Sequence, residues 1–198
     1  MAYINPPGRI PFILKTAIRF AEKKVGKKLL AARILTWYPK AAIGAGLMEA
    51  LVAHDEGRAT KRLLQLIRMQ VSFMASCPFC IDMNSSEFSK AGITEKEIEA
   101  IQEKYSLEEI STFSEEEKTA LLFTRSITAT PIKLDEKILA KMKAFFSEKE
   151  FVVISSTIAQ VNFWTRFIQG IGVPPAGFSK KTSIMNFSDY QTLIKKKL

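Results

Sequence analysis

The chain has 198 residues, is 47% hydrophobic and 25% charged, and carries 29 basic against 20 acidic side chains for a formal charge of +9. Such values describe one domain, or one domain with a terminal extension, whose apolar content fills a core without a disulfide framework or structural metal. The basic residues are dispersed and no aromatic-interleaved basic run occurs, so the charge reads as a solvated surface, not a nucleic-acid footprint.

The opening MAYINPPGRIPF lacks the basic-then-apolar pattern of a secretory signal. The longest charge-free apolar stretch, AAIGAGLM at 41–48, stops at Glu49 and is too short to span a bilayer. The expectation is a cytoplasmic protein with neither membrane nor nucleic acid among its partners. In that compartment a persisting Cys-x-x-Cys is redox-active or metal-binding more often than structural.

In chain order, apolar residues recur at three- and four-residue steps through Phe12 to Ala21, Leu29 to Val52 and Leu63 to Met74. The same period returns through Phe123 to Ile127, Ile138 to Phe146 and Val152 to Ile168, and no alternating stretch is long enough to argue for a sheet. Four capping boxes mark helix starts: Thr94 with Glu97, Ser106 with Glu109, Ser114 with Glu117, and Ser147 with Glu150. Breaks fall at Pro39, Gly57, Pro78, Gly92, Pro131 and GIGVPPAG at 170–177. The expected fold class is all-α. Residues 1–177 form a single helical domain, with N-terminal helices in 10–55, a CxxC core in 58–102 and a second half in 114–170. Residues 178–198 form a basic extension, loosely attached and suited to packing on a neighbouring subunit.

The two cysteines both lie in CPFC at 77–80. The helix through RLLQLIRMQVSFMA must stop near Cys77, because the residue before Pro78 is pushed out of the α region. Pro78 suits the first position of a new helix, with FCIDMNSSEFSKA as its body. Cys77 then sits near the N-cap and Cys80 in the first turn, where unpaired amides and the helix dipole favour a thiolate. The spacing also lets the sulfurs join without moving the backbone far. This pattern favours a redox dithiol over two coincidental core cysteines. A closed zinc site needs four ligands, and the chain offers two cysteines and His54, which lies 23 residues before Cys77 and reads as a surface or cap residue. The helical neighbourhood argues against a thioredoxin fold, which needs strands alternating with helices.

The run RLLQLIRMQVSFMASCPFCIDMNSSEFSKAGITEKEIEAI, residues 62–101, resembles the core motif of the carboxymuconolactone decarboxylase and alkylhydroperoxidase D family. SEEEKTALLFTRSIT at 114–128 is similar to that family's second conserved helix, and residues 146–175 to the third block of its longer, peroxidase-related members. The resemblance implies an AhpD-like all-α fold, homo-oligomers (dimer, trimer or hexamer), and peroxide reduction or disulfide exchange by the cysteine pair. It implies that Cys80 attacks the peroxide and passes through a sulfenic acid, that Cys77 resolves it, and that an external dithiol such as a lipoyl group restores the thiols. It implies no bound cofactor and no metal.

The family's proton relay, a glutamate and a histidine, falls at Gln65, twelve residues before Cys77, and at Asn84, four after Cys80. Neither side chain exchanges a proton near neutral pH, so slow peroxidase turnover is expected. Ser85 and Gln65 could order a water, and Arg68 and Arg166 could stabilise a thiolate. Asn162 and Arg166 share a helical face, which a structural hydrogen bond explains equally well. Asp82 should point away from Cys80 and Glu87 lies two turns along, so both read as solvated helix faces. Trp37 and Trp164 read as core. The alternatives are a non-catalytic helical oligomer with a vestigial CxxC and, third, a decarboxylase acting on a lactone acid.

Overall fold

The structure is a computed structural model and describes residues 1–52, 54–86 and 88–179. Its helices are α1 (Phe12–Val25), α2 (Leu30–Leu35), α3 (Pro39–Leu51), α4 (Lys61–Met74), α5 (Pro78–Asn84), α6 (Glu95–Ile101), α7 (Glu115–Thr128), α8 (Glu136–Phe145) and α9 (Glu148–Gly170). Short 3₁₀ turns occupy Phe88–Ala91 and Leu107–Glu109. Among the described residues there is no strand, only an isolated bridge between Glu56 and Ala59. No helix is long and apolar enough to cross a membrane among those residues.

The centre of the fold is α4, which packs against α5, α7 and α9. Thr60 caps it by accepting the Leu63 amide at 3.2 Å. Both of its sides are apolar. Leu66, Met69 and Phe73 join Ile98, Ile101 and Leu121 in one cluster. Leu63, Ile67 and Val71 join Phe123, Ile154 and Ile158 in another. Each such side chain taken from water contributes roughly 1.5–3 kcal/mol, so a helix apolar on two sides becomes the hub.

All four capping boxes form, the glutamate returning to the cap in each while the hydroxyl accepts the third helical amide or, at Ser106, the Glu108 amide. Glu97 and Glu150 have second tasks. Glu97 is buried and receives Arg62 Nη2 at 2.5 Å and Thr112 Oγ1 at 2.7 Å. Arg62 also reaches Glu117 at 2.8 Å, so one guanidinium ties the starts of α4, α6 and α7 together. Glu150 accepts the Arg58 amide at 2.6 Å and clasps the 57–58 turn to α9.

Three expectations change. The Leu29–Val52 period is two helices, separated at Pro39, whose ring cannot extend a helix but begins one well. The helix after CPFC ends at Asn84 instead of running to Ala91. There Ser86 Oγ donates to the Met83 carbonyl at 2.7 Å, satisfying a last-turn acceptor, and Phe88 turns into the α4–α6 cluster. Trp37 is not core. It is 63% exposed, just past α2, and its indole donates to the Asn5 carbonyl at 2.7 Å. Trp164 is half-buried and packs against the cysteine-bearing cluster.

Candidate functional site

The turn between α4 and α5 builds the site. Ser76 adopts φ 53°, and the Cys77 amide returns to the Ser72 carbonyl at 3.2 Å, which ends α4 abruptly. Cys77 is extended at φ −88° and ψ 104°, as the residue before proline must be, and becomes the N-cap of α5. Its Sγ accepts the Cys80 amide at 3.3 Å. The two cysteines form a disulfide across a Cα–Cα distance of 5.2 Å. Both are buried, at 0% and 3% exposure, among Ala31, Ile34, Phe79, Ile168 and Val173.

Gln65 and Asn84 come together. Gln65 Nε2 donates to the Asn84 carbonyl. The Asn84 amide donates to Ser72 Oγ at 2.8 Å, and that hydroxyl donates to the Arg68 carbonyl at 2.7 Å. Asn84 lies one helical turn beyond Cys80, on the same side of α5. The relay positions are thus wired as a polar but non-titrating chain. Ser85 Oγ is buried without a hydrogen-bond partner. Glu87 lies outside the described residues.

Arg68 is held from the side by Gln160 Oε1 at 3.2 Å, and Gln160 in turn donates to Glu49 at 2.9 Å. The Trp164 indole donates to the same Glu49 carboxylate at 3.0 Å. A surface cleft of about 260 Å³ is lined by His54, Asp55, Lys61, Leu64, Gln65 and Arg68, and the cysteines do not line it. His54, remote from the motif in sequence, therefore shares a cleft with Gln65. Its ring lies 2.7 Å from the Ala50 carbonyl, at the end of α3. Arg166 donates to Asn162 Oδ1 at 2.5 Å, a structural bond within α9. Among the described residues no cluster of three or more His, Cys, Asp or Glu side chains could hold a metal.

Asp82 corrects the expectation of a solvated face. It points away from Cys80, but onto the chain that follows α9 and not into solvent, and it is only 7% exposed. Its Oδ2 accepts the amides of Ala176 at 3.0 Å, Gly177 at 2.7 Å and Phe178 at 3.0 Å. Its Oδ1 accepts the Ser179 amide at 2.8 Å. The extension expected to be loose from residue 178 is therefore tied down through Ser179, and residues 180–198 lie outside the described ones. The partners of Asp82 are 94 to 97 residues away, so no local pattern could have shown them.

Residues 42–106 match the Carboxymuconolactone decarboxylase family profile. YdfG of Bacillus subtilis strain 168 is 29% identical over 140 residues, covering 70% of this chain and 93% of its own. The alkylhydroperoxidase AhpD core structure of a peroxidase-related protein from Ralstonia eutropha JMP134 superposes with a TM-score of 0.74 at 14% identity, over 88% of this chain and 92% of that one. The debrominase Bmp8 shares the fold at a TM-score of 0.71 and 20% identity, again over 88% and 92%. The motif and the architecture agree: residues 42–106 match the carboxymuconolactone decarboxylase family, and the helical fold is shared with AhpD-like structures.

Proposed function

We propose that the chain is a dithiol oxidoreductase that cycles between the Cys77–Cys80 disulfide and two thiols, reducing a small peroxide or exchanging disulfides with a partner dithiol. The observation that carries this is the pair itself, joined at the start of α5 with the Cys80 amide on Cys77 Sγ. In the reduced state that amide stabilises negative charge on Cys77. Cys80 thiolate attacks a peroxide oxygen, giving a sulfenic acid and an alkoxide that takes up a proton. Cys77 then displaces water from the sulfenic sulfur to form the disulfide. An external dithiol of the lipoyl type supplies two electrons and two protons to restore the thiols, a cycle suited to a reducing cytoplasm. Gln65 and Asn84 cannot deliver the alkoxide proton, so turnover is slow.

Stopped-flow mixing of the reduced protein with hydrogen peroxide or an alkyl hydroperoxide tests this. The expected result is slow disulfide formation, abolished in Cys80→Ser and in Cys77→Ser. If peroxide and oxidised lipoate both leave the thiols reduced, the chain is instead a non-catalytic helical oligomer. That Bmp8 on this fold is a debrominase makes halogenated and lactone acids sensible controls in the same assay.

The partner expected of this fold is a second copy. Phe12, Ile13 and Phe20 on α1 are 74–82% exposed, and Ile43, Leu47 and Leu51 on α3 are 51–72% exposed. Exposed apolar side chains on two helices that contact each other suit an interface between copies.

A further inference from the structure

We propose that Asp82 is a specificity-determining residue that acts through position. It holds Ala176–Ser179 as a strap against the apolar cluster that encloses the disulfide, so that small molecules reach the sulfurs and bulky dithiols do not. The inference rests on the dithiol function and adds which class of redox partner the site admits.

Four consecutive amides converge on one buried carboxylate, at 2.7 to 3.0 Å. Hydrogen bonds to a charged acceptor are about twice as strong as neutral ones, and four on one group fix the backbone that donates them. The strap carries apolar cover on its inner side. Ala176 and Phe178 pack on the cluster that contains both cysteines, and Phe178 meets Phe79 edge to face at 5.8 Å. Apart from Cys77 itself, the described members of that cluster are helical, except Ala2 and the stretch from Ile171 to Phe178. Helices α2, α5 and α9 cannot part without unpacking the core, whereas the strap is fixed by the Asp82 carboxylate and by the packing of Ala176 and Phe178. Asp82 stands two residues after Cys80, facing away from it. The helix that presents the cysteines thus also presents the latch.

The chemistry that the strap governs is thiol–disulfide exchange. A thiolate of the reductant attacks one protein sulfur and the other leaves as thiolate. The reductant's second thiol then closes its own disulfide, releasing the first sulfur, and two protons complete the protein thiols. This attack needs an in-line approach to the sulfur of a cysteine that is at most 3% exposed.

The test measures reduction of the oxidised full chain by dithiothreitol and by thioredoxin, a small and a protein dithiol, under matched thiolate concentration. In the native chain thioredoxin should be strongly disfavoured. Asp82→Asn places an amide donor among amide donors, and should raise the thioredoxin rate about tenfold or more while changing the dithiothreitol rate by about twofold. Asp82→Glu, which restores the charge, should recover much of the native selectivity. Phe178→Ala leaves Asp82 intact and should shift selectivity in the same direction, so it decides the matter if Asp82→Asn does not fold. Unchanged thioredoxin rates in the folded variants would overturn the proposal, as would equal acceleration of both reductants. Because the readout is reduction of an existing disulfide, it can succeed where peroxide turnover fails, and the reverse.

Discussion

Gln65 and Asn84 are hydrogen-bonded to each other, the side-chain amide of α4 donating to the last carbonyl of α5. These are the two positions at which a glutamate and a histidine are expected from the family motif. The Gln65 side chain meets the Asn84 backbone, while the Asn84 side-chain amide turns to Ser72. Restoring the titrating pair with Gln65→Glu and Asn84→His should accelerate peroxide-driven disulfide formation by about 10²-fold, the lower end of general acid–base contributions. Stopped-flow rates from pH 5 to 9 check this, and the double variant should gain a pH optimum that the native chain lacks.

Arg62 and Glu97 contribute to the acid limb of stability. Burial alone raises the Glu97 carboxyl, but hydrogen bonds from Arg62, Thr112 and the Thr94 amide outweigh it, leaving the group below its ordinary value. A carboxyl depressed on folding contributes stability that is full above the unfolded value of about 4.3 and is lost as pH falls through the folded one. Urea unfolding between pH 7 and pH 3 should therefore show a decline that Glu97→Gln flattens. Arg62→Leu leaves the Glu97 charge buried and unpaired, and should cost about 3 kcal/mol at pH 7.

Gly57 cannot be replaced cheaply. Its φ is +49°, and a Cβ there would lie 2.1 Å from Glu150 Oε1. Gly57→Ala should destabilise by about 2 kcal/mol, from left-handed strain together with the displaced carboxylate bond to the Arg58 amide. In Glu150→Ala, which already lacks that bond, the same change should cost about half as much.

The exposed side chains of α1 and α3 make a prediction about size. Phe20→Asp with Leu47→Asp should shift sedimentation velocity toward the monomer without altering the helical circular dichroism, because neither residue belongs to the buried core.

What could be read from the chain was local. Thr94 with Glu97 and its three counterparts are contained within four residues, and Cys77 with Pro78 dictates its own turn. What could not be read was what distant segments bring. Asp82 looks like a surface acid until Ala176 to Ser179 arrive beside it. His54 looks isolated until the start of α4 places Gln65 in the same cleft. Trp37 has the composition of a core residue, but it falls just beyond a two-turn helix, where it stays exposed and its indole meets the Asn5 carbonyl. The end of α5 was set by a serine hydroxyl competing for a carbonyl, a contest that periodicity does not register.

The polar clasps that hold the N-terminal helices divide the molecule unequally. No residue of α1 is buried and only Ala45 of α3 is, whereas most of α4 is. Glu22 holds Arg33 at 2.6 Å and Glu49 takes Gln160 and Trp164, bonds that open more readily than a packed core. Amide hydrogens of α1 should then exchange by local opening, orders of magnitude faster than those of α4, which exchange only when the whole fold opens. Where copies cover α1, its protection should rise with protein concentration while that of α4 stays constant, so the same helix would report both its weak attachment and its burial on assembly.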